Sequence, residues 1–405
     1  MNIKQHICMA KFEIVNGNAI IPEGTQIIPH NAFIDCIELK YIKIPNSVTE
    51  IGDWAFFGCS SLTSIEIPYS ITQIGHCVFS GCYSLISLSV SKYNKRYKSF
   101  NNCIVDGTQL IIGCMNSIIP NIVTKIGDWA FFGCSGLMNI GIPDNITSIG
   151  VGAFSKCTSL INIDIPNSVT EIGDVAFFGC SGLTNISIPD NVTSIGEEVF
   201  SGCAALTSIS VSKDNKRYKS FNNCIIDGTQ LIIGCMNSII PNIVTKIGDR
   251  AFSECTGLTN IQIPDSVTVI GDGVFKDCSN LTSIDIPNSI TAIGDSAFAG
   301  CTGLTSIQIP DGVTSIGRCA FISCAGLTRI ELPNSITVIG NWAFSLCTAI
   351  REIKLHHNDS LVASGLLRDC FDVVDNISLF VPINAENIFN HNKFFKKFKE
   401  IISNL

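Results

Sequence analysis

The sequence predicts an α/β solenoid, a stack of short coils sharing a parallel sheet and one continuous core. Three observations predict it. A 23-residue unit recurs twelve times, starting at residues 28, 51, 74, 126, 149, 172, 195, 247, 270, 293, 316 and 339. The sixth position of every unit is Phe, from Phe33 to Phe344, and the ninth is Cys, from Cys36 to Cys347. Two units, 74–125 and 195–246, expand to 52 residues yet return to the same phase. Self-similarity at a period of this size is the mark of a repeat architecture.

Each stretch of the unit has a physical role. Position 12 is Leu except at Ile350, and positions 15 and 17 are always Ile, Leu or Val. The resulting L-x-x-I-x-I alternates, so it predicts a short strand with one buried face. Pro follows at position 18 in nine units and ends the strand where no ladder donor is needed. The V-T-x-I-G stretch is expected to turn the chain, with Gly accepting a tight backbone. A-F-x-x-C then returns on the opposite side as an irregular or 3₁₀-like turn. No single coil buries its own apolar residues, so the coils must stack.

Read together, "AFxxCxxLxxIxIPxSVTxIG" resembles the leucine-rich repeat in its BspA-like, Treponema-type variant. The resemblance covers roughly residues 20–405. It implies a right-handed curved superhelix with the parallel sheet on its concave face. It also implies an adhesin role at a cell surface or in secreted form, with host or cell-surface proteins as partners.

Twelve of the 20 cysteines share one repeat position. Free Cys packs as a small hydrophobe, so an inward ladder of unpaired thiols is expected. The others are Cys8, Cys77, Cys103, Cys114, Cys224, Cys235, Cys319 and Cys370. None makes a C-x-x-C pair, which argues against zinc. Many unpaired thiols suit a reducing compartment.

The expanded units are 121 residues apart and nearly identical from Asn94–Asp128 to Asn215–Asp249, the sole difference being Val105 against Ile226. A block of one long and three ordinary units is therefore duplicated. Inside it, Asp106-Gly107 and Asp227-Gly228 lie between apolar runs and predict hairpins with type I′ turns. Asn94, Tyr97 and Ser99, with Asn215, Tyr218 and Ser220, resemble the N-x-x-Y-x-S stretch of hairpin-bearing BspA-like repeats. The same stretch is basic. Lys95, Arg96 and Lys98, with Lys216, Arg217 and Lys219, are candidate contacts for an acidic partner or glycan. Solvated loops closing a scaffold element are the alternative.

The second candidate surface is the concave strip at positions 14 and 16. It is small, polar and mildly acidic: Ser64, Glu66, Asn162, Asp164, Ser283, Asp285, Arg329 and Glu331. Solenoids commonly bind through their concave face, though this strip has no Trp and little Arg to serve as hot spots. Trp54, Trp129 and Trp342 at position 4, with Phe57, Phe132 and Phe178 at position 7, either form an exposed patch or pack on their neighbours. Asn145, Asn191 and Asn280 begin N-x-[ST] triplets that follow from the composition of the repeat turns.

The ends differ from the middle. Residues 1–27 read as an imperfect capping coil and 356–405 as a strand-helix cap, around repeats spanning 28–355. Ile377–Pro382 predicts the last strand and Ala385–Leu405 an amphipathic helix. A net charge of −8 disfavours nucleic acid. No apolar run is long enough to span a bilayer, and the start carries no classical export signal. Compartment is thus read two ways: surface or secreted from the resemblance, cytoplasmic from the absence of a signal peptide. No Walker loop, G-x-S-x-G or H-E-x-x-H is present, and the six His do not recur with the repeats. The expected function is a non-enzymatic interaction scaffold without cofactor or metal, monomeric by default, with a protein partner. An intracellular scaffold and a carbohydrate-binding repeat protein are the alternatives.

Overall fold

A computed structural model describes residues 10–357, 359–367, 369–371, 374–383 and 385–403. The chain divides into two compact units. One is Met1–Ala205 with Ser212–Lys216, the other Leu206–Val211 with Arg217–Leu405. Each is a β-solenoid of stacked coils.

Hydrogen bonds between successive coils define the stack. On the A-F-x-x-C arm, every second N–H points to the next coil. Asn31, Phe33 and Asp35 donate to the carbonyls of Asp53, Ala55 and Phe57 at 3.0, 2.7 and 2.7 Å. The intervening N–H groups close turns within the arm, as from Phe57 to Trp54 and from Cys59 to Phe56. This alternation requires left-handed backbone at positions 4 and 8, seen at Trp54 (φ 59°), Val175 (φ 49°), Asp35 (φ 54°) and Lys156 (φ 59°). Such backbone costs a non-glycine residue about 1–2 kcal/mol. The paired N–H groups offset that cost.

The parallel ladder runs through the two residues before Gly, a stretch read from the sequence as a turn. Gln73–Ile74, Glu50–Ile51 and Ile27–Ile28 pair in parallel, and 126, 149, 172 and 195 end another such run. In the second unit 247, 270, 293, 316 and 339 continue the pattern. The following Gly sits against the previous coil: a Cβ on Gly173 would lie 2.7 Å from the Val151 nitrogen. Close approach, rather than a turn, is what requires Gly there. Thr three residues before that Gly reinforces the ladder, since Thr170 gives both N–H and Oγ1 to the Thr147 carbonyl, at 2.9 and 3.2 Å.

The expected sheet at positions 14–17 forms in part. Ser64–Ile67 pairs with Ser87–Val90, and Ser306–Gln308, Arg329–Leu332 and Glu352–Leu355 pair in succession. No strand forms at 137–142 or 160–165. At 137–142, Gly141 occupies position 16, and glycine weakens a strand interior.

The core is the predicted one. Phe rings stack through each unit, for instance Phe154 on Phe177 with centroids 5.4 Å apart and planes 4° apart. Phe344 stacks on Phe371 at 5.2 Å, which extends the ladder past the last regular coil. Most ladder thiols also point at the carbonyl of the Phe one coil back: Cys157 Sγ lies 3.2 Å from the Phe131 oxygen and Cys180 Sγ 3.1 Å from that of Phe154, whereas Cys134, after the expanded coil, turns to the Gly113 carbonyl at 3.8 Å. Cys is thus small enough to pack and still satisfies a buried acceptor. Cys36 departs from the expected free ladder, because it is disulfide-bonded. Its partner lies outside the described residues, as does Cys8. The other 18 cysteines are free.

The expanded coil holds three antiparallel strands rather than one hairpin. Tyr97–Phe100 pairs with Cys103–Asp106, which pairs with Gln109–Ile112. Asn101 and Asn102 both have positive φ, 47° and 62°, so they form the type I′ turn. At the predicted turn only Gly107 is left-handed, at φ 60°. A left-handed Gly followed by an ordinary residue is the type II′ pattern. Gln109 and Leu110 then pair with Lys125 and Ile126 and rejoin the ladder.

At the C-terminus, the single helix expected over 385–405 is replaced by three pieces. Glu386–His391 is a short α-helix, Phe395–Lys397 a 3₁₀ turn, and Glu400–Ser403 a strand parallel to Ser378–Val381. The segment 378–381 is therefore not the last strand. Phe389, Phe395 and Phe398 are buried, so the aromatic spacing serves a compact plug over the core end. A further helix, Ser360–Leu367, had no sequence signal.

Candidate interaction surfaces

On the concave strip, Ile65 and Ile67 point inward while Ser64 and Glu66 are exposed. The same alternation exposes Asn162 and Asp164, and Ser283 and Asp285. Lateral bonds order parts of the strip. Asn162 Oδ1 accepts from Asn185 Nδ2 at 2.9 Å. Glu331 lies 2.9 Å from His356 Nε2 and 3.9 Å from Lys354 Nζ, whereas Arg329 is exposed. The strip is thus a fixed set of donors and acceptors, and nothing on it gathers a nucleophile with a base.

The basic turns are built differently from a free cationic knob. Asn94 is buried, and its amide holds four backbone groups. Nδ2 donates to the Pro68 and Ile71 carbonyls, both at 2.9 Å, and Oδ1 accepts from the N–H groups of Arg96 and Tyr97 at 2.9 and 2.8 Å. Arg96 bonds Asp106 through Nε at 2.9 Å and the Thr72 carbonyl through Nη1 at 2.7 Å, and lies over the Tyr97 ring. Its pKa is raised, chiefly by the hydrogen bond to Asp106. Tyr97 Oη takes the N–H of Ile74 at 3.2 Å. Arg96 and Tyr97 therefore terminate the ladder that stops at Ile74. Lys98 Nζ donates to the Asn94 carbonyl at 2.5 Å, while Lys95 is exposed with no partner among the described residues.

In the second copy, Asn215 Nδ2 donates to Pro189 and Val192, and Arg217 pairs with Asp227 at 2.9 Å. Lys216 and Lys219 are exposed. The N-x-x-Y spacing was visible in the sequence, but the burial of its Asn was not. Replacing Asn94 by Ala should cost about 3 kcal/mol, because four backbone groups lose their partner. Urea denaturation monitored by tryptophan fluorescence checks this.

Position 4 and position 7 aromatics pack on each other, with Trp54 on Phe57 at 5.1 Å and Trp129 on Phe132 at 5.2 Å. Trp54 and Trp342 stay partly exposed. The sequon asparagines spend their amides between coils: Asn145 on Asn121 and Val123, Asn191 on Asn167, Asn280 on Thr256. Among the described residues no group of His, Cys, Asp and Glu is arranged to hold a metal ion. No helix there is long and apolar enough to cross a membrane.

The family described as BspA type leucine rich repeat region (6 copies) matches residues 5–114, 112–227, 234–350 and 268–399. The chain belongs to this family. Among solved structures, a leucine rich cell surface protein from Faecalibacterium prausnitzii is 34% identical, over 76% of this chain and 82% of that one, with a TM-score of 0.55. The pneumococcal vaccine antigen PcpA superimposes with a TM-score of 0.60, over 96% of this chain and 94% of its own. At 18% identity it shows the fold alone. No curated protein matches the chain. BspA-type repeats build scaffolds of bacterial surface-type proteins, and leucine-rich repeats generally serve protein interaction.

Proposed function

We propose that this BspA-type chain is a non-enzymatic, adhesin-like scaffold that binds a protein at a cell surface through its concave strip. The observation that carries the reading is the strict division of labour at positions 14 to 17. In Ser64–Ile67 and Asn185–Ile188 two side chains are locked into the core and two polar ones stand exposed, and in Arg329–Leu332 the outward pair is an exposed Arg329 and a half-buried Glu331. Repetition of weak polar contacts suits an extended partner surface better than a small ligand, since neighbouring contacts share one ordering cost. The cell-surface description of the 34% identical relative supports the compartment.

Affinity capture with the whole chain, against an extract of its host environment, tests the reading. Glu66→Lys, Asp164→Lys, Asp285→Lys and Glu331→Lys together should cut capture by about tenfold or more, as charge reversal in a complementary interface does. Lys95→Glu with Lys216→Glu should leave capture unchanged. Circular dichroism of both variants verifies folding. Capture that survives the concave set and fails with the lysine pair would move the site to the basic turns. Surface labelling of intact cells checks the compartment, and protein reachable only after lysis would sink the adhesin reading.

A further inference from the structure

The first expanded coil leaves a gap in the arm ladder. Between Leu110 and Ile126 the chain returns to phase without an A-F-x-x-C arm, so the arms 75–82 and 127–134 have none between them. On the near side of the gap, Trp54, Phe56 and Gly58 donate normally to His76, Val78 and Ser80 at 3.0, 3.0 and 2.8 Å. On the far side, Trp129, Phe131 and Gly133 donate to Val151, Ala153 and Ser155, all at 2.8 Å. Across the gap the same groups are left over. The N–H groups of Cys77 and Phe79 and the carbonyls of Asp128 and Phe132 have no hydrogen-bond partner among the described residues. Gly113 N–H occupies the Ala130 carbonyl alone, at 2.8 Å. The residues that carry these four groups, Cys77, Phe79, Asp128 and Phe132, all line one cavity of about 220 Å³, together with His76 and Gln109.

We propose that this cavity binds the main chain of a short extended peptide from a partner protein, which takes the place of the missing arm. Backbone groups that lack partners inside a fold are rare, and an open ladder edge is a template for another main chain. Here one wall offers two donors two residues apart, and the other offers two acceptors four residues apart. A peptide backbone carries acceptors for the first and donors for the second. The small volume admits two or three residues with small side chains. A sugar would need an open aromatic platform; of the rings lining the cavity, Tyr97 is buried with Arg96 over it and Phe132 packs on Trp129, and Trp129 does not supply one. Its indole lies on the next coil, where a Cβ on Gly152 would come 2.2 Å from Cε3, and its edge meets Phe132. The proposal is independent of the concave strip and of the compartment.

Hydrogen exchange of the full chain, read by mass spectrometry on fragments covering Cys77 to Phe79, tests it. The blocked peptide acetyl-Gly-Ala-Gly-amide at millimolar concentration should slow exchange there by about tenfold, the protection that one net hydrogen bond confers. The same peptide with every amide nitrogen methylated should give none, because its donors for Asp128 and Phe132 are gone. Cys77→Trp should abolish the protection by filling the cavity, and Trp54 and Trp129 show that position 4 accepts the residue. Should that variant fail to fold, the methylated peptide carries the decision. Exchange already slow in the free protein, no slowing with the peptide, or equal slowing with the methylated peptide or with glucose would overturn the proposal.

Discussion

Raised from pH 8 to pH 10 in the presence of a reductant, the protein is expected to lose stability steeply. Burial pushes the ladder thiols up, Cys59, Cys180, Cys255 and Cys301 each to about 12 and Cys82, Cys157 and Cys278 well above the ordinary thiol value. In the unfolded chain the same thiols titrate at about 8.5. Below that pH both states hold their protons, and the ladder contributes in full. Above it the unfolded state releases protons that the folded state keeps, so stability falls as pH climbs toward the folded values. Each thiol then removes about 1.4 kcal/mol per pH unit, and several act together. Guanidinium midpoints measured from pH 7 to 10 check this. Cys157→Ala with Cys180→Ala should flatten the alkaline slope, whatever it does to stability at pH 7.

Replacing Phe177 by Ala is expected to cost about 3–5 kcal/mol, the range for a fully buried aromatic. The ring is fully buried and lies between Phe154 at 5.4 Å and Phe200 at 5.5 Å. Truncation would open a void between two stacked rings held by coil backbones that are themselves hydrogen-bonded, so little collapse is available to fill it. Phe177→Leu should cost less, since it keeps much of the volume. Coils contact only their neighbours, so Phe298→Ala in the other unit should cost a similar amount. Chemical denaturation at pH 7 compares the three.

What could be read from the sequence was what one coil needs in order to bury itself. Phe and Cys at fixed positions, Leu and the alternating Ile pair all announce side chains that must point inward, and they do. What could not be read belongs to the stacking of coils. The two-residue strands before Gly become a ladder only when another coil lies alongside, so V-T-x-I-G taken singly resembles a turn. The left-handed residues at positions 4 and 8 are fixed by bonds to the next coil, which is why Trp, Val and Lys stand where Gly would be expected.

The candidate sites divide along the same line. Exposure of the concave residues follows from alternation and was legible. The roles of Asn94 and Arg96 were not, because their partners, Pro68, Ile71 and Thr72, lie one coil back. Asn101-Asn102 is a weaker turn signal than Asp106-Gly107, although Asn is the residue that most readily follows Gly into left-handed backbone. The terminal helix failed as a prediction because its phenylalanines face a solenoid end and not a membrane or a neighbouring helix. Only packing on Ser378–Val381 gives residues 400–403 a strand to join.

The central claim is that one inter-coil contact, repeated, buries an unpaired thiol in nearly every coil. Alkylation with iodoacetamide, counted by mass spectrometry, tests it most directly. In the native protein at pH 8, label should reach Cys319 first, at its half-buried position 4, and leave the ladder cysteines unmodified over the same period. In denaturant without reductant, all 18 free cysteines should label. Reductant should add Cys36 and its partner. Ladder thiols that react in the native state as fast as a free cysteine, or that stay blocked after denaturation, would contradict the account.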